Sequence, residues 1–484
     1  MKPGGSGNRK RAPGIATAFT TALAVALGSC GPLRPSRVPA GPRIFPASRA
    51  ERPWFRTSTY RLENGLTVVL LEDHEAPHVV VDLHMAVGLR DEGAGERGLA
   101  RLAARQLLCR DPLADGALAE RLERAASESV STGLDATQYV ALGPPALLEA
   151  LLRRAARRLA DEPIDAPLAR SGPDLPASSA DTAAAAESLL DSLVVQALFP
   201  GGHPYHDCLT VTGDDAASVS EPLERFLQRF YAPSNATLVV AGDLESAAVR
   251  GWIADTFAAL GTRPAPERRS APATAVTRAE RLEVAGAESC ELVLAWPAPA
   301  AFTAGEAELE LLASILAEGA DSRLEQRIVL GRPIAEEVEA SLVAAELGSV
   351  FRIRARAAPE ADLDEVAREI LAEVEALASE GPSAAELARA RGRLEGRFRQ
   401  RMRGLLARAE AIQAYQRAFG VADAFQRDLE RRTRPTAEDL RARARELLGT
   451  PPVDLRLRRA EPPVLDAGHR NARAPEAAAL NRSP

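Results

Sequence analysis

The chain has 484 residues, 46% apolar and 26% charged, with aromatics at 4% and a formal net charge of −7. That length suits two or more domains with sizeable cores, and the balance is that of a globular protein rather than a disordered one. A negative net charge without a concentrated basic face excludes the nucleic-acid binders.

Lys2, Arg9, Lys10 and Arg11 precede an apolar run from Gly14 to Leu27. The run is shorter than the roughly 20 residues of a spanning helix and reads as a targeting segment. It ends in Leu27-Gly28-Ser29-Cys30, which resembles the bacterial lipobox. The resemblance implies a lipoprotein signal peptide over 1–29 and an acylated Cys30 that anchors the chain in a bacterial cell envelope. Gly31 lacks the acidic character of an inner-membrane retention signal, which favours the outer membrane. The alternative is a plain secretory signal with a chance cysteine. Residues 30–56, rich in Pro and Arg, read as a tether. Cys109, Cys208 and Cys290 are too scattered for a disulfide framework or a thiolate metal site.

Folded structure is expected from 57 onward. Leu66–Asp73 and His78–Gly88 read as valine-rich strands. Helical periodicity follows from about Gly95 to Arg110, with Leu99, Leu102 and Leu107 as its apolar stripe, and again from Gly116 to Ser129. Ala136–Gly143 reads as a strand and Pro145–Pro163 as a helix. After a poorly patterned stretch, Glu221–Glu245 reads as helix, turn and strand, closing a domain over 57–262. Residues 263–280 form a Pro- and Arg-rich linker.

The order of elements then repeats over 281–460. Strand Cys290–Pro297 and helix Gly305–Gly319 come first, then strand Ser349–Ala357 with Phe351, Ile353 and Ala355 on one face. A long helix follows over Asp362–Glu380. Ser383 to Glu386 forms a capping box for the next helix, and Thr436 to Asp439 offers a similar cap. Residues 461–484 read as a flexible tail. The expected class is α+β, with two tandem similar domains, each an antiparallel sheet backed by helices.

Four stretches in this order carry a family resemblance: "LENGLTVVLLEDHEAPHVVVDLHMAVGLRDEGAGERGLARL", "LFPGGHPY", "FYAPSNATLVVAGDL" and "ILAEGADSRLEQRI". Over roughly 57–451 the chain resembles the pitrilysin/insulinase metallopeptidases, in particular their processing-peptidase-like branch. Active members of that family bind zinc through both His of an H-x-x-E-H helix, whose Glu activates water, and through a downstream Glu. Imidazoles at i and i+4 point the same way and can share one ion. Here the three motif positions are Arg101, Ala104 and Arg105. Arginine stays protonated and has no lone pair for a metal, and alanine moves no proton. No Glu occurs between Glu162 and Glu187, where the third ligand would fall. The family's substrate-holding Arg and Tyr, seven residues apart, align with Val329 and Glu336, and Tyr is absent from that whole stretch.

Histidines 74, 78, 84, 203 and 206 are the residues from which a substitute metal site would have to be built, and each has an ordinary structural reading. The resemblance therefore implies a chain with no cofactor and no catalytic residues. Its expected partner is an active family peptidase in a heterodimer, or a second copy in a homodimer, with the membrane reached by the lipid anchor. A structural scaffold lipoprotein and an active zinc endopeptidase with an unrecognised site are the alternatives. Restoring His, Glu and His at 101, 104 and 105 is expected to be tolerated by the helix, because the leucine stripe is untouched.

Overall fold

Strands rich in valine and leucine form two sheets in the computed structural model, which describes residues 54–93, 95–109, 116–160, 192–206, 208, 220–271, 281–287 and 289–459. All of these lie in the compact unit that begins at Ser48. The signal peptide, Cys30, the tether up to residue 53, residues 272–280 of the linker and the tail from 461 lie outside the described residues.

The first sheet comprises β1 (Thr57–Arg61), β2 (Thr67–Glu72), β3 (Val79–Met85), β4 (Ser127–Thr132), β5 (Thr137–Gly143) and β6 (Ala236–Gly242), in the order β1-β2-β6-β3-β5-β4. The second comprises β7 (Arg281–Ala287), β8 (Glu291–Ala298), β9 (Ala335–Val343), β10 (Ser349–Ala357) and β11 (Val453–Arg459), in the order β7-β11-β8-β10-β9. Without β1 the two are wired identically. In each half the last strand inserts between the first two, parallel to one and antiparallel to the other. The expected repeat is therefore present, but each sheet is mixed rather than purely antiparallel. The parallel partners β2 and β6 are separated by most of the first half, and no local pattern reports such a pairing.

The face of the first sheet formed by Val79, Val81, Leu83 and Met85 packs on α1 (Leu99–Leu108), α3 (Leu148–Arg157), α4 (Ser220–Phe230) and α5 (Ser246–Phe257). Val69, Leu71, Val80, Val239 and Ala241 on the opposite face meet α9 (Leu405–Phe419) and α10 (Phe425–Thr433) from the second half. Coverage on both faces explains why β3 is buried along its whole length, although Asp82 and His84 interrupt its apolar run. Residues 405–433, assigned by sequence to the 281–460 domain, thus complete the core around the first sheet. On the second sheet, Leu292, Leu294, Trp296, Phe351 and Ile353 pack on α6 (Glu306–Ala317), α7 (Leu363–Glu380), α8 (Ala384–Arg401) and α11 (Ala437–Leu448).

Local signals hold at several helix starts. The Ser383–Glu386 and Thr436–Asp439 capping boxes open α8 and α11 as expected. The helix expected over Gly116–Ser129 is shorter. It ends at Ala125 as α2 (Gly116–Ala125), and Ser127–Thr132 pairs with β5 as the edge strand β4. The alternating exposure of β4 marks a strand with one face to solvent.

Candidate functional site

The site begins at α1, whose start is set by its loop. Gly98 caps the helix with φ 85°, in the left-handed region where glycine costs least. Glu92 reaches over the helix start, accepting from the backbone N–H of Gly98 (3.0 Å) and Ala100 (2.9 Å). A carboxylate there satisfies orphan donors and complements the helix dipole. Burial nevertheless pushes the Glu92 carboxyl up to about 7. Gly88 lies so close to the β4–β5 turn that a Cβ would meet the Gly133 and Leu134 carbonyls at 2.6 and 2.5 Å. Arg269 adds a bond to the Glu92 carbonyl (2.9 Å).

The inward face of α1 is formed by Leu99, Ala100, Ala103, Ala104 and Leu107. Leu102, expected in the stripe, is half-buried, while Ala104 is only 1% exposed. Arg101 is half-buried near the Glu92 carboxylate, and Arg105 is exposed. The three positions therefore do not share one face: 104 faces the core and 105 faces solvent. A glutamate at 104 would enter an apolar core, which corrects the expectation that restoring His, Glu and His is tolerated. The Glu-free window after Glu162, residues 163–186, lies outside the described residues.

Val329 lies half-buried in a π-helical segment, Glu325–Gly331, against the second core. Glu336 is exposed at the start of β9, 3.3 Å from Arg356. Neither residue type can hold a substrate carbonyl as Arg or Tyr would.

The histidines are dispersed into separate structural roles. His74 pairs with Asp243 at 2.8 Å, and that hydrogen bond raises its proton affinity. His203 stacks on Phe199 and accepts from the Tyr205 N–H (3.1 Å), and His206 bonds the Phe199 carbonyl (2.6 Å). His84 is buried against the Arg417 guanidinium, and burial followed by that charge holds its pKa well below the usual value. His78 is half-buried just before β3. Among the described residues no group of three or more His, Cys, Asp or Glu side chains is placed to hold a metal ion.

What the structure does bring together is a polar clamp between the halves. Arg90, 3% exposed, lies 2.7 Å from Asp135 and 3.0 Å from Glu346 in the β9–β10 turn. Tyr205 donates to Asp135 (2.6 Å) and accepts from the Leu347 N–H (2.9 Å). Arg268 from the linker bonds Glu346 (2.9 Å) and the Asp135 carbonyl (2.7 Å), and Arg417 of α9 approaches Glu346 at 3.3 Å. Burial alone would oppose the charge on Arg90, but Asp135, Glu346 and Asp91 outweigh it and raise its pKa. Sequence patterning singled out none of these residues. Beside the clamp, Asp82 interrupts the valines of β3. It is fully buried, accepts from Gln138 (2.9 Å), and burial pushes its carboxyl up to about 7.

Residues 219–394 match the family model described as Peptidase M16 inactive domain. The match begins at α4 and ends within α8, so α1 lies outside it. Among solved structures, the chain is similar to a peptidase M16 inactive domain from Pseudomonas fluorescens, at 19% identity and TM-score 0.67, covering 84% of this chain and 100% of that one. A protease from Helicobacter pylori gives 19% identity and TM-score 0.65 with the same coverage. The first half of a periplasmic protease from Escherichia coli gives 18% and 0.67, covering 83% of this chain and 91% of that one. No curated protein sequence matches the chain. At these identities the structural likeness speaks for the fold, and the family model speaks for residues 219–394. Residues 219–394 thus carry a likeness to a peptidase M16 inactive domain, the chain has the two-domain fold of these M16-like structures, and α1 has Arg101, Ala104 and Arg105 in place of an H-x-x-E-H set.

Proposed function

We propose that the chain is a non-catalytic subunit of the bacterial envelope, held by a lipid on Cys30, that completes a closed chamber with an active zinc peptidase of its own family. One observation carries this reading: where zinc chemistry needs His, Glu and His, α1 has Arg101, Ala104 and Arg105, and Ala104 is part of the core. Two guanidiniums repel a divalent cation, and nothing at position 104 activates water. What α1 still supplies is packing, which is what a chamber wall requires. An envelope location is supported by the lipobox-like end of the targeting segment and by the periplasmic protease of similar fold.

The test is to co-express the chain with an intact H-x-x-E-H relative from the same genome. The expected result is a one-to-one complex by native mass spectrometry, zinc in the relative alone, and peptide cleavage by the pair above that of either chain. One-to-one zinc in this chain that survives mild chelation, or cleavage by this chain alone above a chelated control, overturns the reading. A chain that pairs with no such relative points instead to the scaffold role. Cys30→Ala should move the protein to the soluble envelope fraction or stall its processing; unchanged fractionation overturns the anchor.

A further inference from the structure

α9 crosses from the second half onto the face of β3 that carries Val80, Asp82 and His84. Asp82 is fully buried there, and His84 is only 4% exposed. Gln413 of α9 donates to the Asp82 carbonyl (3.0 Å), and the Arg417 guanidinium lies against His84 Nε2 while reaching Glu346 at 3.3 Å. Gln138 of β5 and Thr237 of β6 flank His84 across the sheet. The charged groups that face the pair are Glu410 and Arg417 of α9 and Arg268 of the linker. Arg417 and Arg268 share Glu346, Glu410 has Arg401, and Arg408 further along α9 has Asp73. Those ion pairs keep their charges in mild acid.

These contacts settle where protons sit while α9 is docked. An imidazole nitrogen that accepts from a guanidinium is unprotonated, and a protonated ring would press two cations together under the helix. His84 is therefore neutral, and burial followed by the Arg417 charge holds its pKa well below the usual value. Asp82 accepts from Gln138 (2.9 Å) through one oxygen, and the other has no partner. A carboxyl so buried keeps its proton, and burial pushes Asp82 up to about 7. Released from α9, both side chains meet water and take their ordinary affinities, 3.8 for Asp82 and 6.5 for His84. Between those values the released pair is an ionised carboxylate and a protonated imidazole. It holds one proton, on His84; the docked pair also holds one proton, on Asp82.

We propose that docking of α9 moves one proton from His84 to Asp82, by way of solvent, and so makes the junction between the halves insensitive to pH in mildly acid solution. An equilibrium shifts with pH only where its two states bind different numbers of protons. Here the numbers are equal, because docking lowers the proton affinity of one group and raises that of its neighbour. Acting alone, His84 would let acid loosen α9 by about tenfold per pH unit, and Asp82 would let acid tighten it by about the same factor. The inference concerns the contact between α9 and β3 and does not depend on the pseudopeptidase reading.

Hydrogen–deuterium exchange of the purified full chain at pH 6.5 and pH 5, corrected for the intrinsic rate and read on peptides from α9, tests the proposal. Asn at 82 keeps an acceptor for Gln138, and Gln at 84 keeps one for Arg417, so each variant removes a titration and leaves the contact. Relative to the parent, opening of α9 should rise about tenfold or more on going to pH 5 in Asp82→Asn and fall about tenfold or more in His84→Gln. The double variant, with neither titration, should return to the parent's pH dependence within about threefold. NMR of the histidine ring nitrogens in the parent gives a second reading that needs no stable variant at 82. The His84 signals, identified by their loss in His84→Gln, should keep the neutral form at pH 5, where the exposed His74 is protonated. A protonated His84 at pH 5 in the folded parent, or single variants that follow the parent's pH dependence or both depart from it in one direction, overturns the proposal.

Discussion

Asp82→Asn should stabilise the protein at alkaline pH. Asp82 is buried on the face of β3 that it shares with Val80 and His84, under α9, where Gln138 donates to one carboxylate oxygen while the other has no partner. The amide oxygen of Gln413 in α9 is likewise unpartnered, although its N–H groups bond the carbonyls of Asp82 (3.0 Å) and Thr237 (3.1 Å). Two orphan acceptors in one buried spot ask for a proton, and burial raises the Asp82 carboxyl from the ordinary 3.8 to about 7. A proton affinity raised by folding stabilises the folded state at low pH, and that contribution is lost as pH rises through 7. With 1.4 kcal/mol for each tenfold change in affinity, the ionised carboxylate costs about 4 kcal/mol at pH 8 and less than about 2 kcal/mol at pH 5. Asparagine stays neutral, keeps an acceptor for Gln138 and adds a permanent donor. Urea unfolding followed by tryptophan fluorescence at pH 8 and pH 5 should show the variant more stable than the parent at pH 8, with most of the advantage gone at pH 5. Glu92, also raised by burial, and His84, lowered by burial, titrate in both proteins and cancel in the comparison. A variant less stable than the parent at pH 8, or a difference independent of pH, refutes the account.

Glu346→Gln removes the carboxylate shared by Arg90, Arg268 and Arg417. Leaving Arg90 buried with one strong partner fewer should cost about 2–4 kcal/mol in urea unfolding, and a loss below half a kcal/mol would show that the clamp does not hold the halves. Trp54→Ala removes the ring stacked 6.2 Å from Phe425 and its N–H bond to Gln426 (3.0 Å). Limited proteolysis should then cut near residues 54–56 faster than in the parent, and an unchanged rate would mean that this segment is held by other contacts. Ala104→Glu, alone or with Arg101→His and Arg105→His, places a carboxylate in the α1 core and should lower the melting temperature by several degrees without peptide cleavage in the presence of zinc. A melt equal to the parent's would show that position 104 opens to solvent.

The parts of the fold that depend on local chemistry were legible. The Ser383 and Thr436 caps, the alternation of Phe351, Ile353 and Ala355, and the valines that open β3 each report an environment within a few residues of themselves. The helix expected through Ser129 failed because Ser127–Thr132 is an edge strand, whose only sequence sign is alternation between small polar residues and Val130. The parallel insertions of β6 and β11 were illegible, since nothing in Ala236–Gly242 says which of two valine strands lies on either side. The clamp was hidden for the same reason: Arg90, Asp135 and Glu346 meet from three separate loops. Asp82 did leave a signal. A carboxylate inside "VVVDLHM" is out of place on a strand covered on both faces, and such an interruption is a reason to look for a proton or a partner.

The internal repeat bears on α1 from within the chain. α1 follows β3 as α6 follows β8, and both helices start at a left-handed glycine, Gly98 (φ 85°) and Gly305 (φ 93°). With these glycines superposed, Arg101, Ala104 and Arg105 correspond to Glu308, Leu311 and Leu312. In both halves the first of the three positions is half-buried and the second is core, with Ala104 at 1% and Leu311 at 0% exposure. Only the third differs, since Leu312 is buried and Arg105 is not. A helix kept for catalysis must leave its ligands converging on a space that substrate can enter. A helix kept for packing can bury the middle position under small or apolar side chains and send the rest to solvent. α1 follows the second pattern at Ala104. Its placement therefore agrees with its residue types: α1 is a packing helix that carries Arg101, Ala104 and Arg105 and no His or Glu at those positions.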